Sequence, residues 1–223
     1  MEAIFSRERF SVFLVIAIVD YGMGNLRSVQ KGFEKAGWEA QIVSDDLSLS
    51  KSSGIVLPGV GAFARAVENL KRTGLFEAII SEISAGKPFL GICLGLQLLF
   101  EVSEEWGLTD GMGILPGRVK KLPDSIKVPH MGWNQVFFKK ESPLMEGITD
   151  GSYFYFVHSF YVEAKIPDQI AGITEYGLNF ASMVQRDSVF GIQFHPEKSS
   201  ALGLRILKNF GRLVADNDRN PRG

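Results

Sequence analysis

The sequence predicts a three-layer α/β fold whose mostly parallel open sheet carries an antiparallel, strand-rich extension in its C-terminal half. Two observations predict it. Up to Ile92, short apolar runs alternate with segments of helical period, the pattern of βα units laid side by side in a parallel sheet. From Gly113 onward the texture changes to short alternating runs, rich in aromatics and broken by Gly and Asp, which suits antiparallel strands.

The first strand is expected from Val12 to Val19, and Asp20-Tyr21-Gly22-Met23-Gly24-Asn25 reads as the turn after it. Asn25 can cap a helix that carries Leu26, Val29, Phe33 and Ala36 on one face, and Gly37 stands where a left-handed stop is wanted. Strands follow at Ala40 to Val43 and Ile55 to Leu57, helices at Ala62 to Lys71 and Phe76 to Ile83, and a further strand at Pro88 to Ile92. In the second half, Asn134 to Phe138, Tyr153 to Phe156, Phe180 to Val184 and Val189 to Phe194 read as antiparallel strands. Leu202 to Val214 has helical spacing, and the polar stretch Asp216 to Gly223 reads as a frayed tail.

A chain of 223 residues, 45% hydrophobic, can bury a full core, and nothing marks an internal boundary, so residues 12–215 are expected to form one domain. Residues 1–11 read as an N-terminal extension to which the sequence assigns no role. Twenty-four basic against 25 acidic residues give a formal charge of -1, so there is no global field to attract nucleic acid or an anionic membrane. The apolar run Phe10 to Val19 is about half the roughly 20 residues a bilayer crossing needs, and no small-residue cleavage site follows it. A single cysteine, Cys93, excludes an intrachain disulfide and fits a reducing, cytoplasmic setting.

That cysteine stands in Gly91-Ile92-Cys93-Leu94-Gly95, directly after an apolar strand and before the apolar run Leu96 to Phe100. A sharp strand-to-helix turn of this kind projects its central side chain from the sheet edge, and the flanking glycines let the backbone pass closely. Free amides at the start of the following helix favour a thiolate and, beginning with that of Leu94, can donate to an oxyanion. By itself the motif fits a buried cysteine in a tight βα turn equally well. A second element breaks the tie: Phe190 to Phe194 runs into His195-Pro196-Glu197, which puts an imidazole and a carboxylate at a strand end. His195 is there to take the thiol proton while Glu197 orients the ring.

His130 and His158 are rival bases, but neither has a carboxylate two residues away, and both read as satisfied histidines of the core or an interface. The glycine-bearing turn Leu57-Pro58-Gly59-Val60-Gly61 lacks a G-K-[ST] or a full G-x-G-x-x-G. It reads as a segment aiming amides at the thiol, or as a plain βα turn. One Cys and three scattered His leave too few ligands for a zinc site, and no cofactor is called for.

Gly91 to Gln97, as G-I-C-L-G-L-Q, together with His195-Pro196-Glu197 resembles the class I, or triad-type, glutamine amidotransferases. Further segments resemble the glutaminase subunits of imidazole glycerol phosphate synthase within that family: Asp20 to Leu26, Pro58 to Gly61, Pro129 to Asn134, Tyr155 to Ser159 and His195 to Ser199. The resemblance implies a flavodoxin-like sheet with Cys93, His195 and Glu197 as a triad that attacks L-glutamine, forms a glutamyl thioester and releases ammonia. It implies that Leu94 with Val60 or Gly61 supplies oxyanion amides, and that Gln97 and Glu105 hold the amino-acid end of the substrate. It also implies a (βα)₈-barrel cyclase partner that takes the ammonia through a sheltered path, with Asn25, Met131, Trp133 and Lys198 near that interface. The rivals are another glutaminase of the class, an elbow-cysteine hydrolase that leaves the His-Pro-Glu pair unexplained, and a binding module that keeps the fold without turnover.

Overall fold

The computed structural model describes residues 14–219. Residues 1–11, the start of the expected first strand at Val12, and residues 220–223 of the expected tail lie outside them.

In chain order the first half runs β1 (Ile16–Val19), α1 (Leu26–Ala36), β2 (Ala40–Val43), α2 (Asp46–Lys51), β3 (Gly54–Gly59), α3 (Phe63–Arg72), α4 (Leu75–Ser84), β4 (Phe89–Cys93) and α5 (Leu94–Gln97). The second half adds β5 (Phe100–Ser103), β6 (Thr109–Asp110), β7 (Leu115–Lys121), β8 (His130–Phe138), β9 (Ser152–His158), β10 (Phe160–Ala164), β11 (Ile170–Glu175), β12 (Asn179–Arg186), β13 (Val189–Ile192) and α6 (Ser200–Arg219). One path of strands, β2-β1-β3-β4-β13-β12-β10-β7-β5-β6, orders the sheet, and β11, β8 and β9 extend it off β12.

Adjacent strands from β2 through β1, β3 and β4 to β13 are parallel, and this block is the frame for everything functional. Apart from exposed Gln41 on the edge strand β2, its strands are apolar because both faces are covered. Ala17 and Val19 point into one buried cluster with Phe63, Leu70 and Ile79 of α3 and α4, while Ile16 and Ile18 point into another with Phe33 of α1 and Phe210 of α6. Period-two alternation thus feeds two cores from one strand, which yields the three layers.

Several boundaries differ from the sequence expectation. The first strand begins at Ile16, and Asn25 occupies the first cap of α1 without a side-chain hydrogen bond. The short helix α2 was not anticipated; it is started by Asp45, whose carboxylate accepts from the Ser48 amide at 2.8 Å. β3 runs on through Pro58 and Gly59, so the turn there is shorter than Leu57 to Gly61. The apolar run after Cys93 is one helical turn followed by strand β5, because Phe100 pairs with Leu115 in parallel register. β13 is antiparallel to β12, as expected, but parallel to β4, which returns the chain to the frame. Asp216 to Arg219 continue α6 instead of fraying.

Candidate active site

β4 ends on Cys93, whose backbone (φ 55, ψ -105) lies at positive φ, a conformation that costs a non-glycine residue about 1–3 kcal/mol. The surrounding packing enforces it. A Cβ built on Gly95 would fall 1.8 Å from the Leu57 carbonyl oxygen of β3, so only glycine lets the chain turn this tightly against the neighbouring strand. Because α5 is a single turn, the anion preference at Cys93 rests on its free amides and not on a long helix dipole.

Register brings the remaining groups in. Gly59 of β3 lies directly beside Cys93 in the parallel ladder, and Ile192 of β13 lies beside Ile92 on the other side. The residues just after Ile192 therefore emerge next to the thiol. Gln193 donates from Nε2 to Cys93 Sγ at 3.5 Å. Two residues later, His195 Nδ1 lies 2.9 Å from Glu197 Oε1, and both side chains are 3% exposed. The backbone is clamped as well: His195 N donates to Tyr155 O at 2.9 Å, and Ser199 Oγ donates to His195 O at 2.7 Å.

His195 Nε2 is buried and closes no hydrogen bond, yet the ring is close enough to the thiol for its charge to be felt. Burial pulls the imidazole down, but the charge at Cys93, and then Glu197, outweigh it and push the ring up to about 10. Tyr21 lies buried in the same neighbourhood and donates to Pro58 O at 3.0 Å; burial first, then charge at Cys93, holds its phenol well above the usual range.

A cavity of about 360 Å³ opens in front of the cysteine. The structure brings Val60, Gly61, Cys93, Leu94, Gln97 and Glu105 together in its lining, as the sequence expectation grouped them. Gly61 is left-handed (φ 102), and Val60 is partly exposed at the mouth. Glu105 Oε2 accepts from the Phe63 amide at 2.6 Å, which ties the carboxylate to the start of α3. Gln97 Nε2 donates both to Phe160 O at 3.0 Å and to Gln193 Oε1 at 3.2 Å.

His130 and His158 are not beside Glu197; they face each other across the β8–β9 pairing, with His130 Nδ1 2.8 Å from His158 Nε2. His158 Nδ1 lies 2.9 Å from Phe160 O, which can only accept, so Nδ1 carries the proton and Nε2 accepts from His130. Burial drives His158 down to about 3 and His130 down to about 4, so both are neutral donors and acceptors. His158 still reaches the site, because Val157 to Phe160 line the cavity.

Met131 and Trp133 are 61% and 51% exposed on the outer side of β8, and Trp133 meets Tyr155 of β9 edge-on with ring centroids 6.1 Å apart. Lys198 Nζ lies 5.8 Å from the Tyr155 ring, so these three share one patch. Asn25 is exposed at the start of α1, on the carboxyl side of β1. Gln193 had no sequence signal of its own, although it stands two residues before His195, while Tyr21 and Val157 to Ser159 lie in segments that carried the resemblance without a role at the thiol. Among the described residues no group of three or more His, Cys, Asp or Glu could hold a metal, and no helix is long and apolar enough to cross a membrane.

The model of the family glutamine amidotransferase class-I matches residues 17–213. The chain belongs to that family. Its similarity to the glutaminase branch is high: imidazole glycerol phosphate synthase subunit HisH of Moorella thermoacetica is 55% identical over 199 residues, 89% of this chain and 95% of the relative. The corresponding subunit of Caldanaerobacter subterraneus is 50% identical, covering 90% of this chain and 98% of the relative, and that of Bacillus cereus is 49% identical, covering 90% and 95%. Among solved structures, PurLQS from Thermotoga maritima superposes with a TM-score of 0.71 at 22% identity, covering 91% of this amidotransferase chain and 98% of the other. A glutamine amidotransferase from the same organism gives 0.60 at 16% identity, covering 94% and 87%, and both support the fold alone.

Proposed function

We propose that this class I amidotransferase is the glutaminase subunit of imidazole glycerol phosphate synthase, acting in the cytoplasm in histidine biosynthesis. The observation that carries the chemistry is the buried His195–Glu197 pair held at 2.9 Å beside the positive-φ Cys93. The HisH relatives carry the pathway.

His195 holds the proton of the Cys93 thiol, and Sγ adds to the side-chain amide carbon of L-glutamine. The amide of Leu94, with that of Val60 or Gly61, takes the charge that develops on the carbonyl oxygen. The imidazolium returns its proton to the amide nitrogen, the C–N bond breaks, and ammonia leaves behind a glutamyl thioester. Water, deprotonated by His195, then attacks the thioester and frees glutamate and the thiol. Glu197 keeps the ring in the tautomer that both halves need. Gln97 presents its free Oε1 to the substrate ammonium, because both its amide hydrogens are spent inside the protein. Glu105 adds a negative charge to the lining of the same cavity.

Ammonia is protonated in bulk water, so it must pass directly to the partner. We assign the patch of Met131, Trp133 and Lys198, with Asn25 nearby, to docking of a (βα)₈-barrel cyclase. Treatment with a glutamine-analogue electrophile followed by mass spectrometry is expected to label Cys93, and Cys93→Ala is expected to abolish ammonia release. Labelling at another residue, or persistent release, overturns the mechanism. Co-purification with the cyclase tests the pathway, and glutamine turnover is expected to rise when the cyclase and its ligand are added.

A further inference from the structure

We infer that Gln193 is a catalytic residue, a fixed amide donor that holds Cys93 Sγ as thiolate, oriented by Gln97 and the Phe160 carbonyl. It rests on Cys93 being the nucleophile.

A side-chain carboxamide can usually rotate to present either oxygen or nitrogen, so a glutamine beside a sulfur has no fixed electrical sense. Here the sense is determined by the neighbours. The Phe160 carbonyl only accepts, so the group of Gln97 that meets it at 3.0 Å is Nε2. The same nitrogen lies 3.2 Å from the Gln193 side chain, which must therefore offer Oε1 to it. With its oxygen committed, Gln193 turns Nε2 toward the sulfur at 3.5 Å. A main-chain carbonyl two links away thus decides which end of a carboxamide the nucleophile meets.

The sulfur needs such a donor. Cys93 is 6% exposed, so its thiolate has little water to lean on, and a buried anion without donors is costly. The other polar contact of Sγ is the Val157 carbonyl at 3.9 Å, an acceptor that suits the thiol and repels the thiolate. Gln193 supplies the complementary contact, and it is fully buried, so no solvent competes for the hydrogen. The charged or titratable groups around the sulfur are His195 with Glu197 behind it, Tyr21 beyond β1, and His158 and Glu105 in the cavity wall. All of them stay in place in the variants below.

The test is the pH profile of alkylation of Cys93 by iodoacetamide in the full chain, a readout that needs neither glutamine nor the partner. In Gln193→Met, which keeps the length and removes the donor, the half-maximal rate is expected to move upward by roughly one to two pH units, the equivalent of a hydrogen bond to a charged group. Gln193→Glu presents only acceptors when ionised and is expected to move it at least as far. Gln97→Glu tests the orienting step from a distance: its carboxylate takes the Gln193 amide for itself, turns Oε1 toward the sulfur, and is expected to shift the profile in the same direction. If Gln193→Met fails to fold, Gln193→Leu removes the donor again without adding a negative charge, which by itself would raise the profile. An unchanged profile in any folded variant overturns the role of Gln193. Absence of Cys93 alkylation in the unaltered chain overturns instead the reading of Cys93 as nucleophile.

Discussion

Three histidines occupy one neighbourhood of this chain and are tuned in opposite directions. His195 is raised to about 10 by Cys93 and Glu197 against its burial, while His158 and His130 are lowered to about 3 and about 4 by theirs. The ordinary value is 6.5 in each case. The proton that His195 keeps is the one the Cys93 thiol gives up, so between 6.5 and the free thiol's value of roughly 8.5 the pair holds one proton folded or unfolded, and its stability is lost as pH rises from there to about 10. Between 6.5 and about 3 the unfolded chain binds protons that His158 and His130 refuse, so stability falls as pH drops. The expected outcome is a thermal midpoint highest between pH 6.5 and roughly 8.5 and falling on both sides. His158→Asn is expected to flatten the acid limb only; an acid limb as steep as before refutes the assignment.

At the scale of the element, the β8–β9 hairpin divides its residues by period two. His130, Asn134 and Val136 face inward, while Met131, Trp133 and Phe137 alternate with them and face out. Outward aromatics contribute little to the folding of the isolated chain and much to a partner interface. The double substitution Met131→Ala with Trp133→Ala is expected to change unfolding free energy by no more than about 0.5 kcal/mol. Co-purification with the cyclase is expected to be lost; retained binding at unchanged affinity moves the docking face elsewhere. This hairpin was legible in sequence because alternation and aromatics survive even where turns are ambiguous. The six-residue α2 was not, since Asp45-Asp46-Leu47-Ser48 resembles a loop until the Asp45 cap is seen. The end of the one-turn α5 was not legible either, because Leu98, Leu99 and Phe100 suit a buried helix and a buried strand equally.

For the whole molecule, the two cores on opposite faces of the parallel block are what keep Cys93 and His195 in register. Phe210 of α6 is fully buried, with its ring 6.2 Å from that of Phe33 and 6.5 Å from that of Phe190, so it joins α1, α6 and β13. Phe210→Ala is expected to lower unfolding free energy by about 3–5 kcal/mol, measured by denaturant titration. A loss under about 1 kcal/mol sinks the claim that this core supports the frame. The frame was readable from βα alternation, and the elbow from two glycines around the only cysteine. That His195 would lie beside it depended on β13 pairing with β4, a long-range choice that local pattern does not encode. Gln193 was hidden for a related reason: a buried glutamine has no spacing signature, and only the register shows that it faces the sulfur.

Strand β9 has no idle side. Tyr155 presents its ring to Trp133 and Lys198 on the outer surface, its carbonyl to the His195 amide, and its own amide to Ser199 Oγ at 3.0 Å. Phe154, Phe156 and His158 fill the inner face. In a saturation library scored for activity with the partner, Phe154 to His158 should tolerate few replacements, whereas exposed Leu47 and Leu108 should drift freely.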